Sequence, residues 1–260
     1  MNALKPKVIY GTAWKGERTT QLVMNAFLQG FRALDTACQP KHYREDLVGE
    51  ALERLQYRHG LLRKEYHIQT KFTPIGGQDL NKPLPYNPRD SVTDQIESSL
   101  ATSLRNLRTS YLDSYLLHSP LQIDAGTVRK IGISNVYDVR MLITLGQLRK
   151  VQVVQNRWYE GNNWDREVWQ YCRDNDIEYQ SFWTLTGSPS LLAHPTILAA
   201  AAKLDATPAQ IIFKLVQLHD IISLTGTSNE LHMQQDLAAE RIALEGVEEE
   251  IRIVTKFIWG

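Results

Sequence analysis

A chain of 260 residues, 43% hydrophobic and 22% charged, has the make-up of an ordinary globule and the length of one large domain or two small ones. Its 29 Lys+Arg and 29 Asp+Glu cancel to a formal net charge of zero, which argues against any chain-wide attraction to nucleic acid or anionic membrane. No apolar run is long enough to span a bilayer, the opening Met-Asn-Ala-Leu-Lys-Pro-Lys lacks the apolar core of a signal peptide, and Cys38 and Cys172 are too few for a disulfide framework or a zinc site, so a cytoplasmic protein with reduced thiols is expected.

Apolar, β-rich runs alternate with longer amphipathic stretches along the whole chain. Strands are expected at Lys7–Ala13, Phe31–Ala37, Tyr66–Phe72, Leu112–His118, Lys130–Asn135, Val151–Trp158, Glu178–Trp183 and Ile221–Thr225. Helical patterns lie at Thr19–Leu28, Arg44–Tyr57, Val92–Leu107, Val136–Arg149, Asp165–Asp174, Thr207–His219 and Asn229–Glu240, with a last one at Val247–Phe257. Alternating β and α segments imply parallel strands with helical crossovers, and eight strands in this length imply a closed (β/α)₈ TIM barrel forming a single domain over residues 1–260. An open doubly wound sheet is the competitor, but no strand is followed by the G-x-G-x-x-G turn of a dinucleotide fold. The Pro-rich stretch Asn81–Pro88 lies between a strand and a helix, as a long βα loop would.

One crossover is short. Between His118 and Arg129 stand only Ser119-Pro-Leu-Gln-Ile-Asp-Ala-Gly-Thr-Val128, and Pro120 and Gly126 interrupt any helix there. The fourth helix of the ring is expected to be missing. The outward-facing members of Leu112–Leu117 and Ile131–Ile133 would then form an exposed apolar strip through which copies of the chain could associate.

In a barrel the informative polar residues stand at the carboxyl ends of strands. Read in order, those ends give Asp35, Tyr43 just beyond it, Lys71 and His118. Each alone has a bland explanation, since a lone Lys or Asp beside a core is ordinarily half of an ion pair. Together they fit the parts of a carbonyl reduction. A nicotinamide cofactor supplies hydride, a tyrosine hydroxyl supplies the proton, a nearby lysine lowers the tyrosine pKa, an aspartate holds the lysine, and a histidine orients the carbonyl oxygen.

The chain resembles the aldo-keto reductase family in blocks that run in the family's order over nearly its whole length. They are Gly30-Phe-Arg-Ala-Leu-Asp-Thr-Ala37, Tyr43, Val48-Gly-Glu-Ala-Leu52, Thr70-Lys71-Phe72, Leu112-Asp113, Leu116-Leu-His-Ser119, Val128-Arg-Lys-Ile-Gly-Ile-Ser-Asn135, Val154-Gln-Asn156, Thr207-Pro-Ala-Gln210 and Thr225-Gly-Thr-Ser-Asn-Glu-Leu-His232. The resemblance implies an NADP(H)-dependent oxidoreductase reducing a small aldehyde or ketone to an alcohol, monomeric, with NAD(H) not excluded as cofactor. It makes Tyr43 the general acid, Lys71 and Asp35 its tuning partners and His118 the orienting group. It assigns Gly11, Thr12, Ala13, Asp35, Ser134, Asn135 and Gln155 to the nicotinamide ribose and carboxamide, Phe182 to stacking on the ring, and Thr227 and His232 to the adenosine phosphate. No metal is implied.

Three departures mark this chain. Cys38-Gln-Pro-Lys-His42 lengthens the link between Asp35 and Tyr43, in a form that resembles a fungal-type branch of the family, and Tyr43 is expected to stay in the site. The family's cationic grip on the 2′-phosphate is replaced by Gly226-Thr227 and His232, so discrimination between NADPH and NADH is expected to be modest, and stronger at lower pH. The third is the missing crossover, which makes a catalytically impaired, cofactor-binding or scaffold barrel the alternative function. A Schiff-base lyase using Lys71 is a further one, disfavoured because a charged partner is expected beside that lysine. Tyr86, Trp158, Tyr159 and Trp164 either line an apolar substrate pocket or pack the loops that carry them, and the short C-terminus is expected to leave the site open.

Overall fold

The computed structural model describes residues 6–118, 128–148 and 150–260. Eight parallel strands close in sequence order into one barrel: β1 (Val8–Gly11), β2 (Ala33–Asp35), β3 (His67–Phe72), β4 (Leu112–Leu117), β5 (Val128–Ser134), β6 (Val153–Arg157), β7 (Glu178–Phe182) and β8 (Ile221–Thr225). Around it stand α1 (Thr19–Leu28), α2 (Glu45–His59), α3 (Val92–Asn106), α4 (Val139–Leu148), α5 (Arg166–Asp174), the single turn α6 (Pro189–Leu192), α7 (Pro195–Lys203), α8 (Pro208–Leu218), α9 (Glu230–Ala238) and α10 (Glu248–Trp259). The expected (β/α)₈ barrel is therefore the observed fold. No helix among the described residues is long and apolar enough to cross a membrane.

The strand register decides which residues reach the barrel axis. Gly11 pairs with Asp35, Asp35 with Gln69, and Lys71 with Leu116. Alternation then turns Asp35, Gln69 and Lys71 inward together, because side chains two apart share a face. Below them Ile9, Ala33 and Ile222 form a small apolar plug inside the barrel. The main core lies outside it, between the other strand faces and helical residues such as Val23, Leu52, Ile96, Val168, Ile212 and Val254.

Local chemistry sets the helix ends. Thr207 and Gln210 make a capping box at the start of α8, with the Gln210 N–H donating to Thr207 Oγ1 at 3.2 Å and the Thr207 N–H donating to Gln210 Oε1 at 2.9 Å; Pro208 takes the first helical position, where its missing N–H costs nothing. Asn229 caps α9 by accepting from the N–H groups of Leu231 and His232. In α2, Gly49 lets α3 approach closely: a Cβ there would meet Asn106 O at 1.9 Å.

Three expectations need correcting or bounding. One helix, Thr207–His219, is expected between β7 and β8, whereas the single turn α6 and the longer α7 also lie there. In α7, the run Pro-Thr-Ile-Leu-Ala-Ala-Ala-Ala-Lys offers few polar breaks from which to read a helical stripe, and its burial is decided by Ile197, Ala200 and Ala201. The expected bare strip on β4 and β5 is absent. Tyr115, Leu117 and Ile133 on the outer faces are 2% exposed, in the same core as Ile96 of α3 and Leu142 of α4, and Ile131 is half-buried. The expected loss of the fourth helix falls on residues 119–127, outside the described residues; β4 and β5 nonetheless pair as parallel neighbours from Leu112↔Val128 to Leu117↔Ile133.

Candidate active site

The floor of the site is a buried charge held by amides. Lys71 Nζ donates to Asp35 Oδ2 at 2.6 Å and to Thr36 O at 2.9 Å, with the two side chains only 1% and 5% exposed. Asp35 Oδ1 accepts from Gln69 Nε2 at 2.9 Å and from Gln155 Nε2 at 3.1 Å. Both glutamines also donate to Gln180 Oε1, at 2.8 and 3.0 Å. Removing two charges from water is costly unless the geometry is good and the remaining lone pairs are filled. Here the carboxylate has three donors. An ion-paired, fully buried Lys71 is poorly suited to the free-amine nucleophile of a Schiff-base enzyme.

Above the floor, β2, β3 and β4 bring Tyr43 and His118 together. The extra residues after Cys38 form a turn in which Gln39 O accepts from the N–H groups of both His42 and Tyr43, and the Gln39 side chain donates to Gly77 O at 2.8 Å. That turn points Tyr43 inward: its ring lies 6.0 Å from the His118 ring, and Lys71 Nζ stands 5.5 Å from its centroid. Burial, and then the Asp35 charge, hold the Tyr43 phenol above its usual range. The tuning expected of Lys71 thus does not dominate, because its ammonium bonds to Asp35 and Thr36. Burial, followed by Lys71, pushes His118 down to about 3, so its imidazole is neutral at physiological pH. His118 Nδ1 lies 2.8 Å from Thr73 Oγ1, and its backbone carbonyl accepts from Asn135 Nδ2 at 3.3 Å.

These groups open onto one cavity of about 1130 Å³ at the carboxyl ends of the strands. Of the residues singled out in the sequence, Gly11, Ala13, Asp35, Tyr43, His118, Ser134, Asn135, Gln155, Phe182, Thr227 and His232 line it, and Lys71 lies directly beneath Asp35. Thr12 does not line it: it is fully buried and its hydroxyl donates to Asp35 O at 2.9 Å. Ser134, Asn135 and Gln155 form one polar cluster. Asn135 donates to Ser134 Oγ at 3.1 Å, and Ser134 donates to Gln155 O at 2.8 Å. No group of His, Cys, Asp and Glu among the described residues could hold a metal ion, and both cysteines are buried and free.

The aromatic wall of the cavity is made of other residues. Tyr86 packs on Phe72 with ring centroids 5.3 Å apart and donates to Thr73 O, while Trp158 and Trp164 pack on each other at 6.3 Å inside the core; Tyr159 stands beside Trp183 but does not line the cavity. Trp14, His42 and Trp183 line it instead. Trp14 and Trp183 follow β1 and β7 with φ of 62° and 64°, a conformation uncommon for a large side chain. The left-handed kink throws each indole over the mouth, which residue type alone does not reveal. The sequence reading also missed Lys15, Arg18 and Arg157 on the wall and Thr73 behind His118; a polar residue at a strand end was the available signal for Thr73.

Comparison with known proteins finds similarity in sequence and in fold. A model of the aldo/keto reductase family matches residues 7–125. The chain is 28% identical over 243 residues to methylglyoxal reductase DkgB of Salmonella typhimurium, covering 86% of this chain and 82% of that protein. It is 23% identical over 237 residues to the oxidoreductase YtbE of Bacillus subtilis, covering 85% of this chain and 78% of that one. Among solved structures, the aldose reductase of Schistosoma japonicum superposes with a TM-score of 0.78 at 20% identity, over 98% of this chain and 89% of that one. An aldo/keto reductase from Brucella melitensis gives 0.77 at 22% identity, over 96% and 94%. The structures share the fold; the family model over residues 7–125 and the sequence relatives show a chain similar to the aldo/keto reductase family.

Proposed function

We propose that the chain is an NADP(H)-dependent reductase of aldehydes or ketones with Tyr43 as its proton donor. The observation that carries this reading is the convergence of Tyr43, His118 and the Lys71–Asp35 pair on a cavity whose remaining wall offers amides, a hydroxyl and cations. A nicotinamide dinucleotide fits that donor set. Ser134, Asn135 and Gln155 would hold its carboxamide and ribose, Phe182 its ring, and Lys15, Arg18, Thr227 and His232 the adenosine with its phosphates. When bound, the cofactor supplies a hydride to the carbonyl carbon.

The chain's own residues do the rest. Tyr43, kept protonated by burial and by Asp35, holds its proton on the hydroxyl until negative charge develops on the substrate oxygen. Lys71, fixed by Asp35 and Thr36 O, is the nearby cation that stabilises the tyrosinate left behind. Neutral His118 orients that oxygen by donating from Nε2. This requires the proton to be absent from Nδ1, so Thr73 donates its hydroxyl hydrogen there. Trp14, His42 and Trp183 supply an aromatic surface suited to a carbonyl compound with an apolar body, and relatives named methylglyoxal reductase and aldose reductase are consistent with a small aldehyde.

The test is a fluorescence titration with NADPH followed by turnover with an aromatic aldehyde. Saturable binding and NADPH consumption are expected. Binding without turnover selects the second reading, a catalytically silent cofactor-binding barrel. One observation favours that second reading: among the described residues the Tyr43 hydroxyl makes no hydrogen bond to Lys71 or His118.

A further inference from the structure

Neighbouring strands β1 and β8 carry the loops of the cavity wall that holds Lys15, Arg18, Gly226, Thr227 and His232. Lys15 reaches across from the first loop and donates its ammonium to the carbonyl of Gly226. A Cβ built on Gly226 would lie 3.8 Å from Lys15 Nζ and meet nothing nearer, and Gly226 is not in the left-handed region that would itself demand glycine. The lysine head therefore occupies the space beside a backbone that has no side chain of its own.

This charge is unbalanced. Among the described residues neither Lys15 nor Arg18 has a carboxylate partner, and the nearby acids are engaged elsewhere: Glu17 pairs with Arg44, Glu230 accepts from Asn25, and Asp236 accepts from Thr225 at 2.6 Å. Burial, and then the Arg18 charge, press the Lys15 ammonium towards losing its proton. Two like charges without a counter-charge on a cavity wall are destabilising until an anion arrives, and a dianionic phosphate meeting an ammonium makes the stronger, charge-assisted kind of hydrogen bond.

Resting on the dinucleotide reading above, we infer that Lys15 supplies the cationic grip on the phosphomonoester of the cofactor's adenosine, in place of a side chain at position 226, and so sets preference for the phosphorylated dinucleotide. The preference for NADPH over NADH is then substantial and resides mainly in Lys15, with Arg18 and His232 as helpers. This differs from the modest selectivity expected when only Gly226 and His232 are weighed.

Calorimetric titration of the whole chain with 2′,5′-ADP, 5′-AMP, NADPH and NADH tests it. Lys15→Met should weaken 2′,5′-ADP and NADPH by about 10- to 100-fold, the usual span for a hydrogen bond to a charged group, and leave 5′-AMP and NADH nearly unchanged. Adding Gly226→Lys to Lys15→Met should restore most of the lost affinity, because a side chain there has room and its charge enters the same space. Equal weakening of all four ligands would make Lys15 a clasp on the common 5′-phosphate and overturn the inference, as would an unchanged NADPH/NADH ratio in Lys15→Met. Failure of the unaltered chain to bind either dinucleotide would instead remove the functional reading beneath it.

Discussion

The floor of the cavity and its wall between the β1 and β8 loops treat charge in opposite ways. On the floor, Asp35 and Lys71 are almost wholly buried, and the carboxylate is matched by an ammonium and two glutamine amides. On the wall, Lys15 and Arg18 stand half-open to solvent or exposed, with like charges adjacent and, among the described residues, no carboxylate paired with either. A satisfied buried network is rigid and holds its members in one geometry, whereas an uncompensated rim attracts a counter-charge and is tuned by whatever binds. The chain thus separates fixing a reacting group from recognising a charged ligand, and substitutions in the two regions should fail differently.

The largest effect is expected at the top of the floor. Tyr43→Phe removes only the hydroxyl, so carbonyl reduction should fall by about 10²- to 10⁴-fold while NADPH affinity by fluorescence stays near that of the parent chain. Near-normal turnover in this variant would move the proton donor elsewhere. Next comes the floor itself. Lys71→Met leaves Asp35 buried with only neutral donors and should cost roughly 3–5 kcal/mol in urea unfolding, as breaking one side of a buried pair does. The rim offers the contrast: Lys15→Met should leave the urea midpoint within experimental error, and a comparable loss at both positions would erase the distinction between the regions.

A third prediction uses pH. His118 is pushed down to about 3 from an ordinary 6.5, so between those values the unfolded chain binds a proton that the folded chain refuses. Stability therefore falls as pH drops through that window, and the loss is complete near pH 3. Asp165 and Asp236, raised by burial to about 6 from 3.8, act oppositely and give back some stability on acidification. Urea midpoints at pH 7 and pH 4 should differ less for His118→Gln than for the parent chain. An unaltered difference would mean that His118 is not held neutral.

The smallest effect belongs to Thr73. Thr73→Val removes the hydroxyl that faces His118 Nδ1, and the imidazole should shift towards the Nδ1–H tautomer, which ¹⁵N chemical shifts report directly. Turnover should fall by about 2- to 10-fold, the worth of one neutral hydrogen bond, with NADPH binding unaffected. An unchanged tautomer ratio would show that Thr73 only packs against the ring.

Much of this was legible in residue order. The alternation of periods 2 and 3.6 located all eight strands to within a few residues, and strand-end positions singled out Asp35, Lys71 and His118. The bare strip on β4 and β5 was misjudged because a helix count says nothing about how neighbouring helices spread over a curved surface; Tyr115 and Leu117 lie in the core shared with α3. Trp14 and Trp183 escaped because their left-handed backbone, not their residue type, aims them at the mouth. For Tyr86, Trp158 and Trp164 residue type left pocket lining and packing open, and the structure selects packing: all three are buried in the core.

By itself the sequence determined the parallel barrel, through local periodicity, and the face on which its polar strand ends gather, through the strict alternation of strand side chains. Only the tertiary structure decided where each charge is spent. The Lys71–Asp35 pair is expected from the strand ends, whereas the further bond of Lys71 to Thr36 O, and the reach of Lys15 over Gly226 from a loop 211 residues away in sequence, are not. Such pairings depend on distances of a few ångströms between segments remote along the chain, and Coulomb and hydrogen-bond energies fall off too steeply with distance for residue order to fix them.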